Sequence, residues 1–136
     1  VSSADAVQQP ERPSPVVELV GVYHADGGVA GEVRYVIGHL LGRAHCALCD
    51  ITHSPVRRKP AWDAMVARLG VPVRLVHRNE RAADEVDVSG QSTPCVLARR
   101  ADGSLRVLLG PDDLELGGSV QAFEAAVRSR LGVAVR

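Results

Sequence analysis

The chain has 136 residues, 46% of them apolar and 24% charged, and its sixteen basic and sixteen acidic side chains cancel. Length and composition describe one globular domain with a real core rather than a disordered chain. Zero net charge supplies no global field for capturing nucleic acid or an anionic membrane, and no apolar run reaches the length needed to cross a bilayer.

Residues 1–15 carry Pro10, Pro13 and Pro15 among polar side chains, which predicts a disordered or extended tail ahead of a domain over 16–136. Val16 to Tyr23 is nearly continuously apolar and β-branched, as in a buried strand of a parallel or mixed sheet. His24 to Gly28 is the turn that ends it. Val29, Val33, Val36, Ile37, Leu40 and Leu41 then follow the spacing of an amphipathic helix over roughly 28–42, with Gly42 as its stop.

A cysteine- and histidine-rich segment comes next, followed by the basic run Arg57-Arg58-Lys59. Pro60 suits the first turn of a second helix, whose buried face is Trp62, Met65, Val66 and Leu69 and whose stop is Gly70. Val71 to His77 reads as a second strand, with Pro72 near its start. Residues 78–92 are polar and read as a loop with at most a short helical turn. Thr93 to Arg99 reads as a third strand, Asp102-Gly103 as a hairpin turn, and Leu105 to Leu109 as an antiparallel fourth strand. Ser119 caps a last helix with the stripe Val120, Phe123, Val127 and Leu131.

Chemistry concentrates in His45-Cys46-Ala47-Leu48-Cys49-Asp50-Ile51-Thr52-His53, which holds two of the three cysteines and two of the five histidines. Spacings of three and four place Cys46, Cys49 and His53 on one face of a helix, within reach of a common ion. Thiolate and imidazole suit a soft transition metal such as Zn²⁺, Cu(I) or an iron centre. For zinc, His45, His77, Cys95 or a water would complete the set. The same pair also reads as a dithiol, with Arg43, His45 and Arg57 available to lower a thiol pKa. A third reading makes both cysteines ordinary packing residues. An odd number of cysteines, two of them three apart, is no secreted disulfide framework and suits a reducing cytoplasm. The N-terminus shows no charged segment followed by an apolar run, so no signal peptide is expected there.

Other candidates are weaker. His24 and Asp26 sit in the turn after the first strand, where ligand sites of α/β folds form, although Asp26 also suits a helix cap. His77 to Arg81 ends the second strand as a polar wall or a solvated loop, and Arg57-Arg58-Lys59 as a solvated face. The chain has no phosphate-binding Gly-x-x-x-x-Gly-Lys-Ser/Thr loop, no Gly-x-Ser-x-Gly, no His-Glu-x-x-His, no Cys-x-x-Cys-His and no basic-aromatic stripe.

A Thr-Pro opening the third strand, then a hairpin and a C-terminal helix, resembles the thioredoxin-like superfamily. The resemblance rests on Thr93-Pro94 and, more loosely, on Cys46-Ala47-Leu48-Cys49, with the topology of residues 16–132. It implies a cis peptide bond at Thr93-Pro94 and a four-stranded mixed sheet with helices on both faces. It also implies that Cys95 lies beside the ligand surface, as a resolving thiol or a metal ligand, whereas its place in a strand suits a buried cysteine that only packs. In thioredoxins the CxxC follows the first strand directly, whereas here that position is Ala25-Asp26-Gly27-Gly28 and the pair comes after a helix. The chain is also similar to a small, poorly characterised bacterial family. The shared residues are Tyr23-His24-Ala25-Asp26-Gly27-Gly28, the CxLCxxTH motif from Cys46 to His53, Trp62 and His77.

The expectation is therefore a cytoplasmic, thioredoxin-like α/β protein with no nucleotide cofactor. Its function is to bind a soft metal through Cys46, Cys49, His53 and His45; the second alternative is a thiol–disulfide oxidoreductase with Cys46, Cys49 and Cys95 acting on a thiol or disulfide substrate. A non-catalytic binding module is the third alternative.

Overall fold

In the computed structural model, residues 14–26, 46–54 and 57–132 are described. The expected helix over 28–42, most of the N-terminal tail, and His45 lie outside them.

The first strand, β1 (Val16–Val22), becomes buried from Leu19 onward. Its side chains alternate between two apolar clusters, as the two-residue period of a strand requires. Leu19 and Tyr23 enter one cluster, while Val20 and Val22 enter the other. Burial on both sides explains why this segment reads as a continuous apolar run.

Next come helix α1 (Ala47–Thr52), the two-residue strands β2 (His53–Ser54) and β3 (Arg57–Arg58), helix α2 (Pro60–Leu69) and strand β4 (Val73–Val76). Helix α2 carries proline in its first turn and ends on Gly70, whose φ of 71° is the left-handed conformation that glycine adopts without penalty. It buries Trp62 and Met65 on the face that the apolar spacing predicts.

Residues 78–92 are not the loop expected from their polarity. Arg78–Glu80 is a 3₁₀ turn, and Ala83–Ser89 forms helix α3. The buried residues of α3 are Glu85 and Ser89. Glu85 is fully buried, pairs with Arg74, accepts the Ala82 backbone N–H at 2.8 Å and lies 3.8 Å from Arg99. Charge compensation from two strands holds it there, because a buried carboxylate without partners carries a heavy desolvation cost.

Strands β5 (Cys95–Arg100) and β6 (Leu105–Leu109) form the expected hairpin, and helix α4 (Val120–Leu131) closes the fold. Gly103 takes positive φ in the turn, and Ser119 caps α4 through the Ala122 N–H at 3.0 Å. The Thr93-Pro94 peptide bond is cis, as expected.

The four long strands make one mixed sheet in the order β4-β1-β5-β6. Strand β1 pairs parallel with β4 and antiparallel with β5, and β5 pairs antiparallel with β6. On one face, Leu48 and Ile51 of α1, Trp62 and Met65 of α2, and Phe123 and Val127 of α4 pack with Leu19, Val96, Ala98 and Leu109. Trp62 and Phe123 meet with ring centroids 5.0 Å apart. On the other face, Val88 of α3 covers Val20, Val22, Val76, Cys95 and Leu97. No helix among the described residues is long and apolar enough to cross a membrane.

One position sets how deeply α1 sits on the sheet. A Cβ added to Gly21, midway along the buried part of β1, would stand 2.8 Å from Leu75 Cδ2 and 3.2 Å from Leu48 Cδ2. The missing side chain lets the cysteine-bearing helix lie close against the strand.

Candidate functional site

The sequence places the CxxC pair far from the end of β1, and the fold undoes that displacement. The backbone N–H of His24, just past β1, donates to Cys46 Sγ at 3.4 Å. Cys46 is the N-cap of α1, and its Sγ also accepts the Cys49 N–H at 3.3 Å. The His24 ring reaches the other way, with Nδ1 2.8 Å from Thr93 Oγ1, the residue that precedes the cis peptide. Residues far apart in sequence thus meet at one end of the two central strands: the end of β1, the start of α1 and the entry to β5.

Cys46 and Cys49 interact directly. The Cys49 thiol hydrogen-bonds to Cys46 and is the largest cause of a Cys46 pKa below the ordinary thiol range. Burial opposes this shift, the His24 and Cys49 N–H groups reinforce it, and Asp50 works weakly against it. Cys46 is wholly buried, whereas Cys49 is partly exposed. Neither is in a disulfide.

His53 does not join them on a helical face. Helix α1 ends at Thr52, and His53 is extended, with φ −128° and ψ 143°. The i+4 spacing predicts a shared face only while the helix continues, and here it stops one residue short. His53 Nδ1 instead lies 2.6 Å from Thr52 Oγ1 and 3.4 Å from the Tyr23 hydroxyl. Tyr23 OH and Thr52 Oγ1 are 2.8 Å apart. The Tyr23 ring also touches His77, with centroids 5.2 Å apart, and His77 Nδ1 lies 2.7 Å from Glu80. Burial pushes the Tyr23 pKa up; the Thr52 hydrogen bond opposes this, and charge on Cys49 and Cys46 adds to it. Tyr23 and Thr52 therefore belong to the site, although spacing alone assigns them no role. The sequence signal for Tyr23 is its place as an aromatic at the end of a buried strand.

Cys95 is also not where the resemblance puts it. It pairs in register with Val22 and points into the opposite cluster, with Val20, Val76 and Leu97. Directly opposed residues of an antiparallel pair share a face. Val22 faces α3 rather than α1, so Cys95 does too. Burial raises its thiol pKa to about 11, against a weaker lowering by Arg81. It is a buried packing cysteine on the far side of the sheet from Cys46.

Among the described residues, no group of three or more His, Cys, Asp and Glu side chains is arranged to hold a metal ion. The two thiols therefore do not fit a metal centre without a further ligand, and the expected ligand His45 lies outside the described residues. What the arrangement can do with its own groups is stabilise one thiolate and close a bond to the second sulfur. No protein-family model, curated protein or solved structure matches the chain.

Proposed function

We propose that the protein is a thioredoxin-like thiol–disulfide oxidoreductase acting through the Cys46/Cys49 dithiol. The observation that carries this reading is Cys46 Sγ, hydrogen-bonded by two backbone N–H groups and by the Cys49 thiol at the end of β1, where His24 links it to Thr93 ahead of cis-Pro94. A stabilised thiolate next to a second thiol is what disulfide exchange requires. The strand order, in which β1 lies between β4 and β5, and the cis bond ahead of the hairpin support the thioredoxin-like assignment. So does the return of the CxxC to the end of β1.

In the reaction, the reduced pair gives two electrons to a substrate disulfide. One cysteine sulfur bonds to a substrate sulfur and expels the other as a thiolate. The second cysteine sulfur then displaces the bound substrate sulfur, leaving a Cys46–Cys49 disulfide and two reduced substrate sulfurs. Fully reduced protein equilibrated with glutathione buffers is expected to form this bridge with a potential of about −120 to −270 mV. Absence of a bridge across that range would sink the proposal.

A soft metal held by Cys46, Cys49, His53 and His45 is the competing reading, and it rests on spacing. The turn of His53 toward Thr52 and Tyr23 counts against it. Elemental analysis of protein purified anaerobically under reducing conditions is expected to find well below one equivalent of zinc, copper or iron. One equivalent, lost in Cys46→Ser/Cys49→Ser, would replace the redox reading with the metal one.

A further inference from the structure

Resting on that dithiol reading, we infer that Cys49 is the sulfur that exchanges with external thiols and disulfides, and that Cys46 is its internal partner. Exchange needs an approach path to the sulfur under attack, because the incoming and leaving sulfurs lie on opposite sides of it. Cys46 offers no such path. It is 0% exposed and packs in the cluster containing Leu48, Ile51 and Phe123. Cys49 is partly exposed and packs at the margin of that cluster.

The hydrogen bonds point to the same division. When an external thiolate attacks the oxidised pair at Cys49 Sγ, the Cys46–Cys49 bond breaks and its electrons go to Cys46. Cys46 then leaves as a thiolate facing the His24 and Cys49 N–H groups, 3.4 and 3.3 Å away. A stabilised thiolate leaves faster. Attack at Cys46 would instead expel Cys49, whose sulfur has neither of these two N–H donors, since both point at Cys46.

The forward direction retraces these steps. The Cys49 proton passes along the existing hydrogen bond to Cys46, and the Cys49 thiolate bonds to one sulfur of the substrate disulfide, expelling the other as a thiolate. The proton then passes from Cys46 to a sulfur leaving group, directly or through solvent, and Cys46 displaces the bound sulfur from Cys49. One shared proton and one negative charge enter with the pair. They leave as one thiol and one thiolate, and a single disulfide has been exchanged for another.

The test uses the full chain and glutathione, with each adduct located by peptide mass mapping after an acid quench. Oxidised wild type reacted briefly with reduced glutathione is expected to carry the adduct on Cys49. With oxidised glutathione, Cys46→Ser is expected to accumulate the mixed disulfide on the order of tenfold faster than Cys49→Ser. Serine is a favoured N-cap, so Cys46→Ser keeps the start of α1, and the wild-type mapping needs no variant at all. With the bridge forming in wild type, an adduct on Cys46 or faster capture by Cys49→Ser than by Cys46→Ser would overturn the assignment and leave the exchange reading standing. Absence of both bridge and capture would overturn the two together.

Discussion

Cys46 and Cys95 are the same residue type, both fully buried, and the fold shifts their thiols in opposite directions. Cys46 has donors aimed at its sulfur, which favour the charged form; Cys95 has mainly apolar neighbours, which disfavour it. Removing the largest donor in Cys49→Ala is expected to raise the Cys46 pKa, read as thiolate ultraviolet absorbance against pH in folded protein, which needs no reagent to reach the buried sulfur. An unchanged profile would show that the Cys49 thiol is not the main cause. The two shifts also carry opposite linkage signs. The lowered Cys46 pKa contributes stability at pH above its unfolded value, and this is lost as the pH falls through the folded one. The raised Cys95 pKa contributes stability below its ordinary value near 9, and this is lost as the pH rises through about 11. The stability gap between wild type and Cys95→Ala, measured by denaturant titration, is therefore expected to be flat below that ordinary value and to narrow on the alkaline side. A gap independent of pH would mean that Cys95 is open to solvent.

At the level of elements, the position of α1 depends on the sheet beneath it. Gly21→Ala puts a methyl group against Leu75 and Leu48, and Leu48 belongs to α1. The expected cost is about 1–3 kcal/mol of overpacking. Lifting α1 also lengthens the His24 N–H to Cys46 Sγ bond, so the Cys46 pKa should rise with the loss of stability. Chemical denaturation and thiolate ultraviolet absorbance against pH check the two effects, and a variant as stable as wild type would show that the helix has room to spare. Elements whose apolar period matches their structure were readable from sequence: β1, α2, the β5–β6 hairpin and α4 fall within a residue or two of expectation. Helix α3 was not readable, because its buried side chains are Glu85 and Ser89, with Val88 alone rather than an apolar stripe against the sheet. Its burial depends on Arg74 and Arg99, which reach it from β4 and β5 and which no local pattern links to it. The end of α1 was missed for a similar reason. Thr52 and His53 turn toward Tyr23, a partner just past the end of β1.

For the whole molecule, the candidate site was legible as a segment but not as an assembly. Cys46 and Cys49 were identifiable from spacing. Their return to the end of β1 was not, since it depends on a backbone contact from His24 across a long stretch of sequence. Nor was the side of the sheet that Cys95 occupies, which follows from its registration with Val22 and from which helices cover each face. That last placement has a consequence for how the chain survives oxidation. Three thiols in one small domain allow three pairings, and two of them would trap the wrong partner. The β-sheet works as a partition that leaves only one pairing within reach: Cys46 and Cys49 are on one side, Cys95 is on the other, and side chains that point apart cannot be bridged without moving the backbone. Native protein treated with a mild oxidant should yield the 46–49 bridge and keep Cys95 as a thiol. Mispaired species should appear only once denaturant breaches the partition. Peptide mapping that finds Cys95 bridged in folded protein would mean that the wall opens at room temperature.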